Sequence, residues 1–342
     1  MPGAIATWAG GHEGWWDLLD RVKGWLNKLK DPRIAVPVLV SAALLVFILS
    51  VSDITRLFDR IASIPRSTLA VVFGFAATYL LLKGWQFRNF LEILEIHTTR
   101  RQLALAYAVG EMTLALPAGT YATNWVLERI EGADFARSSA ATTAVLIVEA
   151  TFSMVILVIL GIPAWPWLRW VILGFFGLAA VGVAVLYWVD WFRQQIVDFL
   201  RRGRVAVVGE GLLELVEGLI AFIRLDTIVR AALIGTTYML ILATAFLLVA
   251  QGVGIPNLDF HEASTIYFFG LTAALILPVS TQLGVVEATG VGAAVAWGYT
   301  FTEGLAMLLG FRLVWLASIW VICGPIVFAL RRDLSQSPRN RG

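Results

Sequence analysis

The chain has 342 residues, 59% of them hydrophobic and 15% charged, whereas soluble domains run near 45–50% apolar and about 25% charged; an ordinary globular enzyme is excluded. Lys and Arg number 26 against 24 Asp and Glu, a balance that excludes an acidic disordered chain and a nucleic-acid binder with a broad basic face. The single cysteine, Cys323, lies in an apolar run, so neither a disulfide framework nor a thiolate metal site is expected, and 14 Trp with 30 Gly suit helices in a bilayer.

In chain order, the first element is amphipathic. Within His12–Lys30 the apolar Trp15, Leu19, Val22, Leu26 and Leu29 recur at helical spacing, with Asp17, Asp20, Arg21, Lys23, Lys28 and Lys30 between them. That pattern suits a helix in the headgroup region, its cations toward anionic lipid, with a short soluble helix as the alternative. No basic stretch leads into an apolar run before Ile34, so no cleaved signal peptide is expected. About 20 apolar residues cross the hydrocarbon core. The runs Ile34–Val51, Val145–Gly161 (starting near Arg137), Val171–Val189 and Ala231–Val253 meet that length most clearly, and Leu69–Leu82 and Leu305–Leu330 join them. Trp188–Arg230 is too charged to span and reads as a connection with an interfacial helix.

Positive charge orients the chain. Arg21, Lys23, Lys28, Lys30 and Arg33 precede the first span, and Arg331, Arg332, Arg339 and Arg341 follow the last. Lys83, Arg88, Arg100, Arg101 and Arg129 mark a third cytoplasmic side, while Gly161–Trp170 holds only Arg169 and Gly252–Glu262 none; Ser52–Arg66 runs against the trend. Both termini are predicted to be cytoplasmic, in a cell inner membrane.

This orientation requires two stretches to enter and leave by the same face. Leu103–Leu116 is followed by Pro117-Ala118-Gly119-Thr120 and then Tyr121–Ile130. Fourteen helical residues reach about 21 Å, too short to cross. Ala263–Leu277, the break Pro278–Gly284 and Val285–Trp297 repeat the arrangement from the opposite face. The predicted fold is therefore an all-α integral membrane protein with about six spanning helices and two re-entrant broken-helix hairpins in inverted repeats. Residues 1–33 form the interfacial segment and 34–330 a single transmembrane domain. Within that domain, repeat A covers about 67–161, the cytoplasmic connection 190–228 and repeat B about 229–330; 331–342 form a cytoplasmic tail. Paired interruptions of this kind point to a transporter with its site at the midplane, because irregular backbone must line a cavity or be buried in protein. The alternative is that each proline merely kinks an ordinary span, giving eight full crossings.

A charge at mid-bilayer costs at least about 2.5–3.5 kcal/mol, so Glu111, Glu149, Glu287 and Arg312 are functional candidates. Arg312 is expected to pair with Glu287 or Glu149, leaving at least one carboxylate free to carry a proton. A purely structural ion pair locking the two repeats together is the alternative. Thr120, Tyr121, Asn124, Ser280, Thr281 and Gln282 add neutral polar groups at the two breaks, with Pro117, Gly119, Pro278 and Gly284 shaping them; these polar groups suit either freed backbone or a headgroup. His97 and His261 have no ligand partners at useful spacing, and no G-x-S-x-G or P-loop pattern occurs. Catalysis, a metal and a cofactor are not expected.

Pro117 with Gly119, the Glu149 span, Leu277-Pro278-Val279-Ser280 with Leu283-Gly284-Val285-Val286-Glu287-Ala288, and Gly310-Phe311-Arg312-Leu313 together resemble the lysylphosphatidylglycerol synthetase transmembrane-region family, over about residues 35–330. That family includes the MprF-type flippase domains and stand-alone relatives. The resemblance implies lipid translocation. Three departures fall in the expected cavity: Ser280-Thr281-Gln282 in place of Pro-Gly-Gly, Glu149-Ala150 in place of Glu-Arg, and Tyr121–Trp125 where Gly-Glu-x-x-Arg stands in the family. No soluble aminoacyltransferase segment accompanies the spans, so lysyl-lipid synthesis is not expected. The leading expectation is a flippase moving a polar-headgroup lipid through a cavity at the repeat interface. A membrane enzyme acting on a lipid-linked substrate and a non-catalytic scaffold are the alternatives. The expected partners are the membrane lipid and anionic headgroups at the N-terminal helix, with homo-oligomerisation left open.

Overall fold

The structure, a computed structural model, describes residues 59–114, 119–188, 206–276 and 284–335. Among these, ten α-helices and one 3-10 turn make up the regular structure, with no strand. The amphipathic 12–30 segment and the Ile34–Val51 run lie outside the described residues.

A long helix, two short helices and a second long helix follow one another twice. The N-terminal set is α1 (Arg66–Ile93), α2 (Arg100–Thr113), α3 (Ala122–Glu131) and α4 (Phe135–Leu160). Then come α5 (Leu168–Trp188) and α6 (Ala206–Ala221). The C-terminal set is α7 (Leu225–Gly252), α8 (Phe260–Ile276), α9 (Val285–Ala296) and α10 (Phe301–Ser335). Helices α1, α4, α7 and α10 are long and apolar enough to cross a membrane. Local chemistry sets the boundaries. Thr99 and Gln102 form a reciprocal capping box at the start of α2, Asp134 accepts from the Arg137 N–H to open α4, and Gly132 ends α3 at φ 70°.

The expected end of the second span is corrected. Leu69–Leu82 is only part of α1, which continues through Lys83 for ten more residues to Ile93. Lys83 is buried rather than marking the membrane edge, so its charge does not terminate the helix.

Both interrupted stretches fold back on themselves. In the first, Gly110 of α2 lies against Thr123 of α3. In the second, Trp297 just beyond α9 donates to Thr265 near the start of α8 and stacks edge-on against His261. A continuous kinked rod would separate these residues. Over their described residues α2, α3, α8 and α9 have 14, 10, 17 and 12 residues, each shorter than the four long helices.

Close backbone approach closes each pair. A Cβ on Gly270 would sit 2.7 Å from the Val286 carbonyl oxygen, a backbone atom that cannot move without shifting α9. Gly270→Ala is therefore expected to destabilise the protein by about 1–3 kcal/mol, the cost of overpacking, seen as a lower Tm in detergent; an unchanged Tm would refute the contact.

The two sets pack reciprocally: α1 on α7, α2 on α10 and α8 on α4. Helices α1 and α7 are antiparallel. Gly252 at the end of α7 meets Ile64 and Pro65 ahead of α1, while Gln86 late in α1 donates to the Ala231 carbonyl early in α7. The main core lies between them, with Tyr79, Tyr238, Phe246, Phe268 and Phe311 at its centre. A second core joins Phe87, Leu91, Leu105 and Leu127 to Phe222 beyond α6, and α6 itself packs on α4. Outside, large apolar side chains such as Leu81, Trp170, Leu178, Leu233 and Phe328 stand exposed, a surface suited to lipid rather than water.

Candidate functional site

Where the two sets meet they enclose a cavity of about 100 Å³, room for several waters. Its wall carries five charged side chains. Lys83, Glu111 and Glu149 come from α1, α2 and α4, and Glu287 and Arg312 from α9 and α10. The long-range packing of α2 and α8 against the other set's last helix brings them to one space.

Lys83 organises the first cluster. Its Nζ donates to the Tyr79 hydroxyl at 2.9 Å and lies 3.0 Å from Glu149 Oε1 and 3.3 Å from Glu111 Oε1. Tyr79 is one helical turn before Lys83, so the ammonium also sits over its ring, 5.2 Å from the centroid. An ammonium has three donors, and three oxygens surround this one. All three charged side chains are about 93% buried or more. The Tyr107 hydroxyl approaches Glu111, but neither it nor Glu111 Oε2 completes a hydrogen bond of good geometry.

Glu287 organises the second cluster. Its Oε2 accepts from the Gly284 N–H at 2.7 Å and its Oε1 lies 2.9 Å from Arg312 Nε. Gly284, at φ 86°, turns the chain into α9, a conformation that suits glycine. The carboxylate is thereby fixed at the helix N-terminus, where negative charge is favoured. Arg312 is less satisfied. Its Nε contact with Glu287 is out of line for a hydrogen bond, and its Nη2 has no hydrogen-bond partner among the described residues.

The expected pairing of Arg312 with Glu287 is thus present, while Glu149 is taken by Lys83. Each cluster lies within its own set, so neither ion pair crosses between the two. Thr120 lines the cavity. Tyr121 and Asn124 do not: Tyr121 bonds Thr143 at 3.3 Å, and Asn124, fully buried, exchanges hydrogen bonds with Thr142 at 2.9 and 3.1 Å. Their polar groups tie the first break and α3 to α4. Gly119 packs against the Thr113 carbonyl, too close for any Cβ. Pro117, Pro278, Ser280, Thr281 and Gln282 lie outside the described residues. Lys83 and Tyr79 are the site residues that sequence reasoning missed. The available signal was that Lys83 is the single charge between Arg66 and Arg88.

Over residues 34–323 the chain matches the profile described as the lysylphosphatidylglycerol synthase TM region. The chain belongs to that family. It is a multi-pass membrane protein, and membership implies a function related to membrane lipids. No curated protein matches it at a significant level.

Proposed function

We propose that this family member is an inner-membrane lipid flippase, in which a polar headgroup passes through the cavity between the two sets while its acyl chains remain in the bilayer. One observation carries the reading: among the described residues, Arg312 presents N–H groups without hydrogen bonds to a cavity walled by both sets. A guanidinium so placed matches a phosphate oxygen pair, which would accept both donors. Glu287 holds the guanidinium in position.

The accompanying architecture is a pair of inverted repeats whose broken hairpins dip into the bilayer from opposite faces. Its support is the reciprocal packing of α2 on α10 and α8 on α4, the exchange that a two-fold axis generates. The antiparallel run of α1 and α7 is in keeping with an axis in the membrane plane. Cytoplasmic termini follow from the Lys and Arg distribution.

The test is reconstitution of the full chain into vesicles carrying fluorescent phospholipids of differing headgroup, with leaflet exchange followed by quenching from outside. Exchange well above protein-free vesicles, and dependent on headgroup, is expected. A rate equal to that of protein-free vesicles for every headgroup would overturn the reading and favour a scaffold.

A further inference from the structure

Glu111 has one oxygen that makes no hydrogen bond among the described residues. It is 5% exposed, lines the cavity, and its Oε2 lacks a hydrogen bond although Oε1 lies against Lys83. The two clusters are also unequal in charge. Arg312 and Glu287 cancel, whereas Lys83 faces two carboxylates, so among the described residues three anions and two cations line one partly open cavity. A net buried charge is costly to hold without compensation.

We propose that Lys83, Glu111 and Glu149 form a single-proton site, and that occupation of this site accompanies passage of the headgroup. Binding forms one O–H bond, on the free Oε2 of Glu111, and breaks one in a hydronium ion reaching the cavity through water. The cluster is then neutral, with one ammonium, one carboxylate and one carboxylic acid. The new O–H has the cavity water or the Tyr107 hydroxyl to donate to. A phosphate arriving at Arg312 adds negative charge to the same space, so taking up a proton across the cavity keeps the charge constant.

The groups that face the site come from every packed helix that bears one. These are Tyr79 and Lys83 on α1, Tyr107 and Glu111 on α2, Glu149 on α4, Tyr238 on α7, Tyr267 on α8, Glu287 on α9, and Arg312 and Cys323 on α10. Tyr267 lies within electrostatic reach of both clusters. Among the carboxylates on this wall, Glu287 has Arg312 to itself, whereas Glu111 and Glu149 share Lys83.

The coupling rests on the lipid-translocation reading, and two measurements separate them. In the first, full-length protein in lipid vesicles is titrated while the infrared C=O stretch of protonated carboxyls is recorded. One titrating carboxyl band is expected, altered in Glu111→Gln and Glu149→Gln and retained in the surface control Glu92→Gln. Absence of that band overturns the proton site, whether or not lipid moves. In the second, fluorescent phospholipid is equilibrated across vesicles holding a pH difference. One coupled proton shifts the leaflet distribution by up to about tenfold per pH unit, and Glu111→Gln returns it toward equality. Lipid that exchanges freely yet stays evenly distributed under the gradient overturns the coupling and leaves the translocation reading standing. If no lipid moves, that reading and the coupling fall together, and the infrared band alone decides the proton site.

Discussion

On the proposed function, Arg312→Lys is expected to fold normally and to move lipid about ten- to a hundredfold more slowly than the wild type, the effect of losing one charge-assisted hydrogen bond. Lysine keeps the positive charge opposite Glu287, so the buried carboxylate is not stranded and the Tm stays near that of the wild type. What is lost is the planar pair of N–H groups, one of them the unbonded Nη2. Charge-assisted hydrogen bonds contribute about 1.5–3 kcal/mol each, and the stated slowing corresponds to the loss of one of them at about 1.4 kcal/mol per tenfold. Leaflet exchange in reconstituted vesicles measures this directly. Arg312→Ala is the less informative variant, since it removes the counter-ion of a carboxylate that is 2% exposed and confounds folding with transport. Wild-type exchange by the lysine variant would remove Arg312 from the headgroup path.

The largest effect on stability is expected at Lys83. Lys83→Met leaves Glu111 and Glu149 facing one another in a buried space with their shared ammonium gone. Removing one partner of a buried ion cluster costs about 3–5 kcal/mol, more than the cluster itself contributes relative to neutral groups of similar volume. Thermal unfolding of the detergent-solubilised protein should therefore show a large drop in Tm. The triple change Lys83→Met, Glu111→Gln and Glu149→Gln should recover most of it, because no charge is left uncompensated. A single variant as stable as the wild type would mean that Lys83 does not hold the two carboxylates as described.

Why was Arg312 legible in the sequence and Lys83 not? Arg312 and Glu287 stand in long apolar runs, where a charge has no explanation other than a buried partner. Lys83 is followed closely by Arg88, Arg100 and Arg101, and in that company it reads as the flank of a span. Its partners arise from α2 and α4, far along the chain, so nothing local announces them. The two interrupted stretches were equally legible, since a proline or glycine break inside a run too short to cross leaves few options for the backbone. The uses of Tyr121 and Asn124 were not. Either could have faced the cavity, and it is the register of α3 against α4 that gives them to Thr143 and Thr142. The extent of α1 was hidden for the same reason as Lys83: an end drawn at a charge is wrong when the charge is satisfied inside.

Because each ion cluster is completed by helices of its own set, the halves meet at the cavity through packed uncharged side chains, among them the aromatic edges of Tyr79 against Tyr238 and Trp315. Such faces slide and re-seat at small energetic cost. On the flippase reading proposed above, a rocking motion that opened first to one leaflet and then to the other would not have to pull a positive group away from a negative one inside oil.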